Sequence, residues 1–592
     1  MKNIKSLLVI VLLGGSLTSC NDFLNLEPLN DIVLENFWTD KSDVESVLLG
    51  SYAALQTNDC ITRMCVWGEM RSDNIIEGNN TPDDIRQICN ENLLITNQYC
   101  KYNAFYDVIN RANTVLHFAR EVAKKDPNYV LDEQLAHEAE ALALRSLSYW
   151  YLIRTFRDVP YVTEPSIDDE GGYMKFYVPQ SSFDVVLDSI IADLEYAKKG
   201  AMNKYATDEE SRTRITKSAI CAMLADMYLW RGRSDDWQKC IDVCEEVTKF
   251  KLDEYQKLKS KQGKNCELVL FNGYPLISDA PGGVTTAGNS YNEIFGTKYS
   301  FESLFELPFN IDVKNSFVNS YYQCSDNENN KSVGTIKAYE PIGNTPSTNH
   351  DVFNQTNDVR YYQSVKQRST SYAISKYGYS SLSLSISGQK VSPASTTASY
   401  GSFRSKDGSD QANWIIYRYS EVLLFEAEAY IMQAKALNPA GEDSAAISLA
   451  QQDLKEKAFK LIDAVNARSV VLDNDNVAKT NDLAKVTGYK ANETAVTKVE
   501  EILFQERRRE LLFEGKRWYD LVRMARRAGN QKELINFIKK KHTAANSSKV
   551  DIQLKNPYAM YFPLYRDEVR NSKGVLKQNP AYKEDEKTEQ AH

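Results

Sequence analysis

The stretch VEEILFQERRRELLFEGKRWYDLVRMA, residues 499–525, decides the fold class. It reads as two helices hinged at Gly515. In the second, Trp518, Leu521, Val522 and Ala525 recur at i, i+3, i+4 and i+7, the apolar stripe of a helix packed against other helices. In the first, the face carrying Ile502 and Phe513 is interrupted by Glu506 and Arg509. Charges inside a helix bundle are tolerated only when mutually satisfied, and they then favour one register, so Glu506, Arg509 and Trp518 are expected to be structural. The basic run is interleaved with Glu506, Glu510 and Glu514, which argues against a nucleic-acid patch.

Helical periodicity extends outward from this stretch. Thr39 to Gln56, Phe105 to Ala123 and Glu133 to Phe156 carry apolar residues at helical spacing, and Asp126-Pro127-Asn128 makes the turn between the last two. Further helices are expected near 181–199, 215–231 and 235–250. Leu224, Ala225 and Tyr228, followed by Trp237, Ile241 and Cys244, have the small-and-large pattern of a tetratricopeptide hairpin. A second copy is expected near 417–467, where Leu423, Ala427 and Tyr430 precede Ala458, Ile462 and Val465. Between the copies the composition turns to Gly, Ser, Thr, Asn and Tyr, with short strand-like pieces at Glu267 to Phe271, Ser303 to Phe309 and Ser371 to Ser387. Residues 57–100 show little period and read as long connections. The expected fold is therefore mainly α: a tetratricopeptide-repeat helical scaffold with a large irregular, partly β inserted lobe.

The start of the chain points to a membrane. Lys2 and Lys5 precede an apolar run from Leu7 to Leu13, too short to span a bilayer, and Leu17-Thr18-Ser19-Cys20 follows. This pattern resembles the bacterial lipoprotein signal, which implies cleavage before Cys20 and acylation of its thiol as a lasting lipid anchor. The formal net charge of −9 grows more negative once Lys2 and Lys5 leave, which excludes nucleic acid as a natural partner. Acylation of Cys20 leaves an odd number of the ten cysteines. Cys60, Cys65, Cys89 and Cys100 crowd one stretch where disulfides can form in an oxidising compartment, whereas Cys240 and Cys244 share a helix face and read as small apolar groups. No C-x-x-C, G-x-S-x-G, H-E-x-x-H, Walker or dinucleotide motif occurs, and the five histidines are scattered. No metal, cofactor or catalytic residue is expected.

The stretch ERRRELLFEGKRWYDLVR closely resembles the C-terminal signature of the SusD/RagB family of Bacteroidetes surface lipoproteins. CNDFLNLEP from Cys20, FYDVINRANTVL at 105–116, EALALRSLSYWYLIRTFRDVPYV at 140–162, YRYSEVLLFEAEAY at 417–430 and the ending YFPLYRDEVRNSKGVLKQNPAY resemble it too. The resemblance implies an outer-membrane, lipid-anchored, surface-exposed protein that captures oligosaccharide and passes it to a SusC-like TonB-dependent transporter, binding without cleaving. A peptide-binding RagB-like lid, a surface glycosidase and a repeat-based adaptor are the competing functions. The expected division is a signal peptide at 1–19, an N-terminal SusD-like region at 20–250, the tyrosine-rich lobe at 251–416 and a C-terminal helical region at 417–592.

Sugar recognition needs flat aromatic faces together with amide, carboxylate or guanidinium groups. Two places supply both. One is Trp67, Arg71, Asp73, Asn74, Arg86 and Tyr99, where the resemblance places cargo contacts. The other is Tyr291, Tyr299, Tyr321 and Tyr322, within a set of candidate surface aromatics that also includes Phe295, Tyr361 and Tyr362.

Overall fold

The computed structural model describes residues 37–166, 177–263, 268–278, 286–287, 289–322, 334–343, 350–354, 358–368, 371–377, 384–387, 390–393, 411–437, 444–470 and 494–582. Cys20, the signal and the leader lie outside the described residues.

The scaffold is a series of antiparallel helix pairs. Helix α1 (Lys41–Leu55) starts on a capping box, in which Asp40 accepts from the first turn and Asp43 reaches back to the cap. It packs on α3 (Asn103–Lys125), which pairs with α4 (Leu131–Phe156) across the expected turn, where Asp126 Oδ1 accepts from the Asn128 amide at 2.8 Å. Next come α5 (Phe183–Gly200), α6 (Lys217–Arg231) and α7 (Asp236–Gln262), each against its predecessor. Helix α7 then packs on α8 (Tyr419–Ala436), so the array continues across the inserted region, and α8 pairs with α9 (Ser444–Ser469). The repeat positions Leu224, Ala225, Tyr228, Ile241, Cys244, Leu423, Ala427, Tyr430, Ala458, Ile462 and Val465 are all buried. The fold is mainly α, and its strands are short.

Residues 57–100 depart from expectation. They form α2 (Asn58–Glu69) and a shorter helix at Asp83–Cys89. Helix α2 is buried on nearly every side, Arg63 and Glu69 included, so no polar face alternates with an apolar one and the helical period is invisible in the sequence. A Cβ on Gly68 would lie 1.8 Å from the Gly515 carbonyl oxygen, which is how closely α2 meets the hinge. Gly515 itself holds φ +74, a conformation that favours glycine. Cys60, Cys65, Cys89 and Cys100 are buried free thiols.

The quoted stretch forms α10 (Val496–Glu510) and α11 (Arg517–Ala528). Successive helical residues point about 100° apart, so three arginines in a row reach three directions. Arg507 donates to Asp520 on α11, Arg508 donates to Asn74 and the Asp73 carbonyl after α2, and Arg509 donates to Glu506 and to the Val352 carbonyl of the inserted region. Glu506 and Glu510 join a wholly buried network in which Asp358, Glu302, Glu506, Glu510 and Glu514 meet Arg360, Lys376, Arg418, Arg468 and Arg509. Among the described residues five acids face five bases, so their charges balance. Burial pushes the Glu510 carboxyl up, but Arg468, Arg418 and Arg360 outweigh it and hold the group well below the usual carboxylate range.

The inserted region is tied down by strands as well. β2 (Ser303–Leu307) pairs antiparallel with β4 (Trp414–Arg418), and β1 (Ile75–Glu77) pairs with β3 (Ile336–Ala338), joining the lobe to the segment after α2. Among the described residues no helix is long and apolar enough to cross a membrane.

Candidate functional site

Most residues expected to meet a ligand are built into the interior, which corrects their placement. Trp67 is fully buried, donates Nε1 to the Tyr99 carbonyl at 2.9 Å and stacks on Phe105. Arg71 lies over the Trp518 ring, pairs with Glu91 and donates to the carbonyls of Ala559 and Met560. Asp73 joins Arg508 and Arg517, which outweigh the effect of burial and depress its carboxyl. Asn74 bridges Glu69 and Arg508. Tyr291 donates to the Glu510 carbonyl, and Tyr322 donates to the Phe513 carbonyl at 2.6 Å. Tyr99 is buried and meets the half-buried Tyr321 hydroxyl to hydroxyl at 2.6 Å. Phe295 and Tyr361 are buried too. Arg86 is exposed but engaged by Glu77 and Asp83, and Tyr299 is half-buried against Glu209. In their nearly complete burial these polar groups are satisfied by protein, which is the physical condition for a stable interior.

A cavity of about 490 Å³ lies elsewhere, within the range of ligand pockets. Its floor is the start of α3. Phe105, Val108, Ala112, Val115 and Ala119 turn inward from that helix, so Tyr102, Tyr106 and Asn110, spaced by four, line up on the outer side. The Tyr102 and Tyr106 rings stand 5.1 Å apart. One wall is the strand-like segment after α4. Tyr106 donates its hydroxyl to the Pro160 carbonyl at 2.6 Å, Asn113 donates to the Val162 carbonyl at 3.1 Å, and Asn110 accepts from the Ser166 amide at 2.8 Å. Asn113 is itself held by Arg145 at 3.0 Å. These bonds fix the wall to the helix and leave the phenol faces presented.

The opposite wall comes from near the chain's end: the short helix Arg566–Asn571 and the turn after it, with Glu568, Asn571, Val575 and Leu576, while Tyr177 completes the rim. Glu568 has one carboxylate oxygen, Oε2, without a hydrogen bond. Burial pushes its carboxyl up to about 7, with the Tyr102 hydroxyl, Lys101 and Arg63 opposing. The described lining thus combines three phenol rings, apolar patches from Ile109, Val162 and Leu576, the amides of Asn110, Asn113 and Asn571, and a single carboxyl. Such a surface can stack on the apolar face of a sugar ring and exchange hydrogen bonds with its hydroxyls. No cation lines it. Among the described residues no group of three His, Cys, Asp or Glu side chains could hold a metal ion.

Sequence reasoning missed this cavity. The signal was available in the polar and aromatic stripe Tyr102, Tyr106, Asn110, opposite the apolar stripe that marks α3. What the sequence lacks is any sign that residues 566–576 return to cover it.

Comparison with known proteins agrees with the architecture. Residues 301–582 match the family model described as the SusD family, and residues 22–229 match one described as starch-binding, associating with outer membrane. SusD-like protein P38 of Formosa agariphila is 26% identical over 547 residues, covering 88% of this chain and 91% of that protein. A SusD superfamily crystal structure from Bacteroides thetaiotaomicron aligns with a TM-score of 0.61 at 17% identity, covering 92% of this chain and 99% of the other. One from Bacteroides vulgatus aligns at 0.60 and 18% identity, covering 92% and 100%. At these identities the structural likeness is one of fold.

Proposed function

We propose, from the premise that this chain belongs to the SusD/RagB family, that it is a cell-surface glycan-binding protein which captures oligosaccharide and delivers it to a SusC-like TonB-dependent transporter in the outer membrane. The observation that carries the binding half is the tyrosine-lined cavity between α3 and residues 566–576. Its rings supply stacking surface, and Glu568 and Asn571 supply hydrogen-bonding groups. The protein binds its cargo and leaves it chemically unchanged. Cys20 is its lipid anchor, and residues 20–250 and 417–592 carry the scaffold into which 251–416 is inserted.

Oligosaccharide offers no large apolar body, so affinity should be modest, on the order of micromolar to millimolar. Calorimetric titration with a panel of neutral oligosaccharides and of peptides tests the class of cargo. Saturable heat with at least one oligosaccharide is expected, and a response to peptides alone would replace this reading with a peptide carrier. For delivery, purification from detergent-solubilised outer membranes should recover a SusC-like barrel. For the anchor, Cys20→Ala should move the protein to the soluble fraction.

A further inference from the structure

Two further hollows, of about 340 and 270 Å³, flank Arg157 and Tyr558, and both are lined by these two residues. Arg157 follows the last turn of α4 at φ 71 and ψ −72. A side chain held at positive φ is strained, and glycine would occupy the same position without that strain. The residue present instead puts a guanidinium between the hollows. It lies 4.9 Å from the Tyr558 ring centroid, and Nη1 donates to Asp158 Oδ2 at 2.6 Å. Its Nε and Nη2 have no acceptor among the described residues.

The surrounding charge is one-sided. Lys577 is exposed on one side of Arg157, its main-chain amide fixed by Gln180 at 2.8 Å, and Arg526 lies on the other side, donating to the Tyr561 hydroxyl at 2.8 Å. Among the described residues Asp158 is the one carboxylate lining either hollow, and it is spent on Arg157 and on the Phe183 amide at the start of α5, while Arg526 also meets Asp184 at 3.7 Å outside the lining. The walls are firm: Asn579 donates to the carbonyls of Tyr558, Tyr561 and Phe562, and Gln578 exchanges hydrogen bonds with the Leu564 main chain. With Arg526 paired to Asp184, Arg157 and Lys577 still outnumber Asp158 on a chain whose formal net charge is −9. The tyrosine-lined cavity differs: its described lining carries Glu568 and no Lys or Arg, with Lys573 only at the rim.

We infer that the hollows around Arg157 form a second binding site, for the carboxylate of an acidic sugar such as a uronate. A guanidinium with free donors matches a carboxylate in geometry as well as charge, and Lys577 adds a point charge at the mouth. That the carboxylate is carried on a sugar rests on the glycan reading above; the preference for an anion does not. The protein would then hold a mixed-charge glycan at two places, neutral residues among the tyrosines and the acidic residue at Arg157.

The test is calorimetric titration of the purified full-length protein with oligogalacturonate, with the matching neutral galacto-oligosaccharide, with sulfated galactan fragments and with an oligoglutamate peptide. Oligogalacturonate should bind more tightly than its neutral counterpart, and the difference should shrink as salt rises. Arg157→Gly relieves the strained backbone and removes the guanidinium, so it should keep or raise the melting temperature while weakening oligogalacturonate binding at least about tenfold. Lys577→Gln should weaken it in the same sense. Tyr102→Ala should weaken the neutral galacto-oligosaccharide more than oligogalacturonate, and Arg157→Gly the reverse, which separates this inference from the tyrosine cavity. Equal affinity for charged and neutral oligosaccharides, a stronger response to sulfated fragments or oligoglutamate than to uronate, or uronate binding untouched by both Arg157→Gly and Lys577→Gln would each overturn the proposal.

Discussion

Arg360, from the inserted region, donates Nη1 to Glu506 Oε1 on α10 at 2.6 Å, with both side chains fully buried. Asn466 on α9 donates to the other oxygen of Glu506 at 2.9 Å, and Arg509 donates to it at 2.8 Å. One carboxylate therefore joins the inserted lobe, the second repeat pair and the C-terminal helices. Glu506→Ala leaves the buried network one negative charge short: Arg360 keeps Asp358 and Glu510, but Arg509 loses its close carboxylate, and breaking a buried pair in this way costs about 3–5 kcal/mol. Thermal or denaturant unfolding should show that loss. An unchanged midpoint would mean that the network contributes little to holding the lobe.

Acid should act through the same kind of contact. Burial raises the carboxyls of Asp73, Glu428 and Glu510, but the arginines around each outweigh it, so all three titrate below their ordinary range. The unfolded chain binds these protons more readily than the folded one below about pH 4, so the stability they contribute is present above that pH and is lost as pH falls. Melting temperature should drop steeply on acidification below about pH 4, and replacing Glu510 with Gln should flatten that slope while lowering the plateau.

Trp67 changes role once its surroundings are known. Stacked on Phe105 and edge-on to Phe156, it fills the junction of α2, α3 and α4. Trp67→Ala should cost about 3–5 kcal/mol of stability through the cavity it leaves. Urea unfolding gives the size of the loss, and a shift within experimental scatter would return Trp67 to the list of surface residues.

The helical scaffold was legible in the chain because its stripes are regular: Leu224, Ala225 and Tyr228, or Trp518, Leu521 and Val522, announce both helix and buried face. The charged pair at Glu506 and Arg509 was legible for the complementary reason, as a break in a stripe. Helix α2 was not, since a helix buried all round has no period to read. The residues between Trp67 and Asn74 look like ligand groups by type, yet Arg71, Asp73 and Asn74 find their partners at Glu91, Arg508 and Arg517, contacts spanning from 20 residues to more than 430 along the chain. Residue type alone does not distinguish a buried ion pair from a binding group; only the long-range partner does.

Glu568 should make binding in the tyrosine cavity depend on pH. Its carboxyl, pushed by burial up to about 7 against the opposition of Tyr102, Lys101 and Arg63, loses its proton as pH rises through neutrality. The carboxylate is the stronger acceptor for sugar hydroxyls, so affinity for a neutral oligosaccharide should rise from pH 6 to pH 8. Glu568→Gln should flatten the profile at the weaker level. The same pH trend in wild type and variant would show that Glu568 does not touch the ligand.

The most direct measurement is the affinity of the purified protein for its best neutral oligosaccharide before and after Tyr102→Ala and Tyr177→Ala, read by calorimetry alongside the melting temperature. Both rings line the cavity and are only partly buried, so their removal should spare the fold. Each substitution should weaken binding at least about tenfold, roughly 1.4 kcal/mol, with a melting temperature close to wild type. Oligosaccharide binding at wild-type strength in both variants would contradict the assignment of this cavity as the glycan site.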